Sequence, residues 1–127
     1  MARERRVKIV AVVEDDASYR LALQRLLKSA GFSVQLFESA EEFLNSGQQH
    51  ETGCLIADIR MPGMSGLDLQ ARLTADHCPI PIIFITAHGD EQMRLQAMRG
   101  GAVKFLGKPF DCEILLESVR VALGNDG

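Results

Sequence analysis

The stretch Cys54-Leu55-Ile56-Ala57-Asp58-Ile59-Arg60-Met61-Pro62-Gly63-Met64-Ser65-Gly66 reads as a short buried strand that stops on a carboxylate and enters a tight turn. Leu55, Ile56 and Ala57 form the apolar run, Asp58 stands at its end, and Pro62, Gly63 and Gly66 punctuate the turn. In open α/β sheets the carboxyl ends of the strands are where ligands bind and loops carry chemistry. Asp also favours turns on its own account, because its side chain bonds nearby backbone. Asp58 therefore acquires a meaning only from the other strand ends.

Working outward, strand and helix patterns alternate along the chain. Val7 to Val13 is β-branched and almost continuously apolar, as suits a central strand buried on both faces. Tyr19, Leu23, Leu26, Leu27 and Ala30 recur at helical spacing, with Asp16 as the expected cap and Gly31 as the stop. Phe32 to Phe37 predicts a second strand. Ser39 to Glu42 has the Ser-x-x-Glu form of a capping box and opens a short helix whose apolar face includes Phe43 and Leu44. After the Cys54–Gly66 stretch, Leu67, Leu69 and Leu73 predict a third helix and Ile82 to Thr86 a fourth strand. Met93, Ala97 and Met98 predict a helix ending at Gly100, and Ala102 to Leu106 a fifth strand. Ile114, Leu115, Val119, Ala122 and Leu123 predict the closing helix. Such alternation implies an α/β fold, a doubly wound five-stranded parallel sheet covered by helices on both faces, since each crossover is right-handed. One domain is expected over residues 7–123, with residues 1–6 and 124–127 as flexible ends.

Composition narrows the class. The chain has 127 residues, 46% of them hydrophobic and 24% charged, as in a one-domain globular protein. Its net charge of -3 gives no general attraction to nucleic acid, and the basic residues are scattered apart from Arg3, Arg5 and Arg6. No direct nucleic-acid contact is expected. Cys54, Cys78 and Cys112 lack metal-ligand spacing and fall in or beside apolar stretches, so buried, reduced thiols are expected. With neither a signal-like start nor an apolar run near the length of a membrane span, the expected location is the cytoplasm.

The chemistry lies at the strand ends. The first strand ends in Glu14 and Asp15, the third in Asp58, the fourth in Thr86, and the fifth runs into Lys108. Carboxylates gathered at one partly buried edge repel one another and call for a cation. Their hard oxygen atoms suit Mg²⁺, or Mn²⁺ in its place. A hydroxyl and an ammonium at the same edge complete a set fitted to phosphoryl chemistry, where positioning and charge neutralisation do most of the work. Each residue also has a plainer reading: Glu14 and Asp15 as helix-capping acids, Thr86 as a strand residue, Lys108 as a surface lysine. Their convergence on one edge is more specific than any member.

Four segments carry a family resemblance: Val12-Val13-Glu14-Asp15-Asp16, Asp58 to Gly66, Ile85-Thr86-Ala87-His88-Gly89-Asp90, and Phe105-Leu106-Gly107-Lys108-Pro109-Phe110. In order and spacing the chain resembles the receiver domain of a two-component response regulator, and among these the FixJ-like receivers. The resemblance implies the strand order 2-1-3-4-5. It also implies that Asp58 accepts a phosphoryl group from a sensor histidine kinase. Asp15, Asp58 and the Arg60 backbone carbonyl would hold the metal, with Glu14 acting directly or through water. Thr86 and Lys108 would meet the phosphoryl oxygens, and Thr86 and Phe105 would move as a switch. Such a domain is a phosphoacceptor that catalyses only its own phosphorylation and dephosphorylation, and is not otherwise an enzyme. FixJ-like receivers usually precede a helix-turn-helix output domain and often form homodimers when phosphorylated. The resemblance further suggests a cis Lys108–Pro109 peptide.

This chain departs from the commonest pattern at two positions: Glu14 stands where Asp is more frequent, and Gly107 where a larger side chain is usual. Arg60 and His88, two residues beyond Asp58 and Thr86, are candidates for the mouth of the site. Three other classes share parts of the pattern. Hydrolases with an aspartyl nucleophile place it after the first strand with a second acid two residues on, unlike the adjacent pair here. A flavodoxin-like nucleotide binder needs a phosphate-cradling loop where this chain has acids. A receiver-like interaction module that switches without phosphorylation remains as the alternative.

Overall fold

In a computed structural model, described over residues 8–87 and 89–124, the strands are β1 (Ile9–Val13), β2 (Ser33–Phe37), β3 (Thr52–Asp58), β4 (Ile82–Thr86) and β5 (Lys104–Gly107). They form one parallel sheet in the order β2-β1-β3-β4-β5, the order the resemblance implied. The helices are α1 (Ala17–Ser29), α2 (Ala40–Ser46), α3 (Gly66–Ala75), α4 (Glu91–Arg99) and α5 (Cys112–Ala122), with a 3₁₀ turn over Gln49–Glu51 before β3.

Successive side chains on a strand point to opposite faces, and the central strands use this to build two cores. Ala11, Val13, Leu55, Ala57, Ile82 and Phe84 face α2, α3 and α4, meeting Phe43, Leu69, Leu73 and Ala97. Val10, Val12, Cys54, Ile56, Ile83 and Ile85 face α1 and α5, meeting Leu23, Leu27, Leu115 and Val119. Continuous apolar strands are thus apolar because both of their faces are covered. Burial also pushes the Cys54 thiol up to about 12, which leaves it protonated.

Side-chain caps set where the helices start. Asp16 accepts from the Ser18 and Tyr19 amides at 2.9 and 3.2 Å, as the sequence predicts. Asp90 and Asp111 do the same for α4 and α5. At α2 the expected capping box closes on one side only. Ser39 Oγ accepts from the Glu42 amide, but the Glu42 carboxylate accepts from the Glu38 amide instead of from Ser39. The complete box sits at α3, where Ser65 and Asp68 cap each other reciprocally. Sequence reasoning missed this box, although its Ser-x-x-Asp spacing is visible in the chain.

Other expectations fall outside the described residues or need correction. Residues 1–7 and 125–127, and with them Val7 and most of the proposed flexible ends, lie outside the described residues. Phe32 precedes β2, because its amide closes the end of α1 on the Leu27 carbonyl at 3.0 Å. Strand β5 starts at Lys104 because the Ala102 amide still bonds the Ala97 carbonyl of α4. Cys78 is half-buried and Cys112 exposed, so only Cys54 is a buried thiol. Ile114 is 45% exposed, since the buried stripe of α5 runs through Leu115, Ser118 and Val119.

Two glycines near the strand ends contrast sharply. A Cβ on Gly66 would collide with the Asp58 carbonyl oxygen and sit 3.0 Å from Ile59 Cα, and the Gly66 amide donates to the Ile59 carbonyl at 2.9 Å. The turn after Asp58 closes this tightly only on glycine. Around Gly107 a Cβ would meet nothing within 4 Å. In urea unfolding, Gly66→Ala should therefore cost about 1–3 kcal/mol by overpacking, whereas Gly107→Ala should stay within about 0.5 kcal/mol of the parent.

Candidate functional site

At the carboxyl edge of the sheet the backbone carries each functional side chain to its place. The Glu14 amide donates to the Phe37 carbonyl at 3.0 Å, extending the β1–β2 ladder one residue beyond β1. Arg20 Nη1, from the first turns of α1, donates to the Glu14 carbonyl at 2.8 Å. Asp58 is the last residue of β3 and is paired with Ile85 of β4. The Lys108 amide donates to the Thr86 carbonyl at 2.9 Å, which ties the residue after β5 to the end of β4. The Lys108–Pro109 peptide is cis.

The side chains converge on Lys108. Its Nζ donates to Asp58 Oδ2 at 2.8 Å and lies 2.8 Å from Glu14 Oε1. The lysine side chain is 7% exposed and Glu14 is fully buried. Glu14 Oε2 accepts from the Asp16 amide at 3.0 Å and Asp58 Oδ1 from the Arg60 amide at 3.1 Å. Asp15 is exposed, yet Glu14, Asp15 and Asp58 each offer a carboxylate oxygen within 4.8 Å of one another. Thr86 is buried at the end of β4. A Cβ on Gly89 would lie 2.7 Å from the Thr86 methyl and 2.8 Å from Phe105 Cζ, so both side chains pack closely onto Gly89 and leave no room for a larger residue there. Arg60, expected at the mouth of the site, is exposed. His88, the other residue expected there, lies outside the described residues.

Burial is the main influence on Glu14 and raises its carboxyl above the ordinary value. The hydrogen bonds from Lys108 and Asp16 oppose the rise, and the charge of Asp58 adds to it. Burial also works against the Lys108 ammonium, but the bonds and charges of Asp58 and Glu14 outweigh it and hold Lys108 above its ordinary value. The donor set fits a small hard cation. All three side chains are carboxylates, each offering an oxygen to the same small space, and Glu14 Oε1 is buried with Lys108 Nζ 2.8 Å away.

Sequence reasoning named Glu14, Asp15, Asp58, Thr86 and Lys108, and the fold brings all five to one edge. It missed Tyr19, whose ring centroid lies 4.2 Å from Lys108 Nζ. Helical spacing assigned Tyr19 to the packed face of α1, and nothing in that spacing points to the lysine. It also missed Glu41 of α2, which accepts from the Met64 amide at 2.9 Å and braces the turn after Asp58. No local signal links residues so far apart in the chain.

A five-stranded sheet in this order, with acids, a hydroxyl and a lysine at its carboxyl edge, is the architecture of a receiver. The chain belongs to the response regulator receiver domain family, whose pattern matches residues 10–120. It is 51% identical over 118 residues to Nodulation protein W of Bradyrhizobium diazoefficiens, covering 93% of this chain and 52% of that protein. It is 42% identical over 114 residues to Transcriptional regulatory protein FixJ of the same organism, covering 90% and 56%. The structure of response regulator StyR superposes with a TM-score of 0.86 at 49% identity, over 94% of this chain and 60% of that one. The chain thus spans about half the length of the curated relatives it matches.

The raised Glu14 carboxyl has a definite sign. Its contribution to stability is fully present below the ordinary value of 4.5 and is lost as pH rises through the folded value. In metal-free protein at pH 7.5, Glu14→Gln should therefore raise the melting temperature, with the difference closing as pH falls toward 4.5. Adding Mg²⁺ at about ten to a hundred times its dissociation constant should stabilise the parent by about 1.4–2.7 kcal/mol. In differential scanning calorimetry that is a rise of several degrees, which sodium chloride of matched ionic strength should not reproduce.

Proposed function

We propose that this chain is the phosphorylation-activated receiver of a two-component pathway, with Asp58 accepting a phosphoryl group from the phosphohistidine of a sensor histidine kinase. The observation that carries this reading is Lys108 Nζ, set 2.8 Å from both Asp58 Oδ2 and Glu14 Oε1 beside the exposed carboxylate of Asp15. A nucleophilic carboxylate thereby sits between a fixed ammonium and a cluster of acids that suits a divalent cation.

In the reaction, an Asp58 carboxylate oxygen bonds to phosphorus as the donor's phosphorus–nitrogen bond breaks, and the imidazole leaves with the electron pair. Lys108 and Thr86 orient and neutralise the phosphoryl oxygens. Asp58 is buried at the end of β3 and paired in register with Ile85 of β4, which keeps the acceptor from wandering. Asp15, Asp58 and the Arg60 carbonyl would hold Mg²⁺ or Mn²⁺, with Glu14 in direct contact or through water. The bound cation would offset the charge that gathers on the acids and the transferring group.

The acyl phosphate brings about 1.5 to 2 negative charges and three strong acceptors. The Thr86 hydroxyl moves to meet it, drawing the loop before α4 inward, and Phe105 turns into the space that Thr86 vacates. The switch shifts the population of the face formed by α4, β5 and α5. The domain turns over no separate substrate and catalyses only its own phosphorylation and dephosphorylation. The location proposed for the pathway is the cytoplasm. By analogy with relatives named as transcriptional regulators, its output is transcription through a helix-turn-helix domain in the full-length protein, with homodimers forming on phosphorylation.

Incubation with Mg²⁺ and acetyl phosphate, followed by intact-mass measurement, tests the reading. The expected result is a gain of one phosphoryl group that disappears in Asp58→Asn and on chelation of the metal. A parent protein that gains no mass would instead support an interaction module that switches without phosphorylation.

A further inference from the structure

We propose that Tyr19 is a positioning residue whose ring face holds the Lys108 ammonium in line with Asp58 during phosphoryl transfer; this rests on Asp58 being the phosphoacceptor. The Lys108 ammonium is met on two sides by carboxylates, each 2.8 Å away. Tyr19 presents its ring on a further side, with the centroid 4.2 Å from Nζ, inside the range where the ring quadrupole attracts a cation. Because the lysine side chain is only 7% exposed, the ring works in a largely water-excluded place, where such attraction is strongest.

The lysine needs this help. It carries its charge on a flexible four-carbon stem, and it follows Gly107, around which a side chain would meet nothing within 4 Å. Tyr19 is comparatively well anchored. Its amide donates to the Asp16 cap at 3.2 Å, and its ring packs on Phe110 with centroids 6.3 Å apart. Its neighbour Arg20 grips the Glu14 carbonyl at 2.8 Å. One turn of α1 therefore fixes both an acid of the site and the surface on which the lysine rests.

The ring also differs in kind from the other two partners. The carboxylates of Glu14 and Asp58 are claimed by a cation and by the phosphoryl group once the site is at work. The π face bears no net charge and takes no part in either bond, so it keeps its hold on the ammonium while the carboxylate contacts are exchanged.

The test compares self-phosphorylation by acetyl phosphate in the parent, Tyr19→Leu, Tyr19→Phe, and proteins carrying progressively fluorinated phenylalanines at position 19. Fluorination drains the π face with little change of shape, so the series separates attraction for the cation from packing. Tyr19→Leu should slow the reaction about 5- to 20-fold, Tyr19→Phe should recover most of the loss, and the rate should fall stepwise with fluorine content. Metal affinity, read from the Mg²⁺ dependence of melting temperature, should stay the same throughout. A labelled parent with Tyr19→Leu equally fast, or a flat fluorinated series, overturns the role of Tyr19 and leaves Asp58 as acceptor. An unlabelled parent overturns both.

Discussion

An ammonium held between two carboxylates at the edge of a buried sheet is the constraint on which this molecule depends. Lys108 reaches Asp58 and Glu14 at 2.8 Å only because β1, β3 and the end of β5 stop at matching heights. The register that sets those heights is parallel throughout and continues past β4, where the Thr86 carbonyl takes the Lys108 amide. Removing the Lys108 ammonium would strand two carboxylates in a poorly solvated place, a cost that removing the Glu14 charge does not carry, because Asp58 still pairs the lysine. The cluster therefore specifies an arrangement more than it adds stability, and the raised Glu14 carboxyl marks it as a site held at some expense to the apo fold.

The rest of the structure makes that arrangement rigid. Two cores clamp the central strands from opposite faces, so the carboxyl ends of β1, β3 and β4 have little room to shift. The turns beyond them are pinned individually. Gly66 lets the chain fold back against the Asp58 and Ile59 backbone, Ser65 and Asp68 lock the start of α3, and Glu41 braces the Met64 amide from α2. Against this background Thr86 and Phe105 both close on Gly89, so that a move by one changes the room left to the other. A rigid acceptor beside a movable pair is what a switch requires.

Much of this was legible beforehand because its signals are local. Asp16 as a cap, Ile82–Thr86 as a strand and the five polar residues at strand ends follow from short patterns that the backbone reads directly. The misplacements have equally physical causes. Ala102 looks like strand but is held by the Ala97 carbonyl of the preceding helix. Ile114 looks like core but lies one step around α5 from Leu115. Glu42 is spaced to bond Ser39 but bonds Glu38, where the backbone presents a better-placed amide.

The sequence by itself determined the alternation of elements, the family of the chain and the residues that stand at the carboxyl edge, because apolar period, caps and turn residues act over a few positions. Only the tertiary structure decided which of those residues touch. The Lys108 contacts to Asp58, Glu14 and Tyr19 join segments that are distant in sequence and adjacent solely through strand order and register. Distances of this kind depend on how elements pack, and packing is a property of the whole chain that no local pattern encodes.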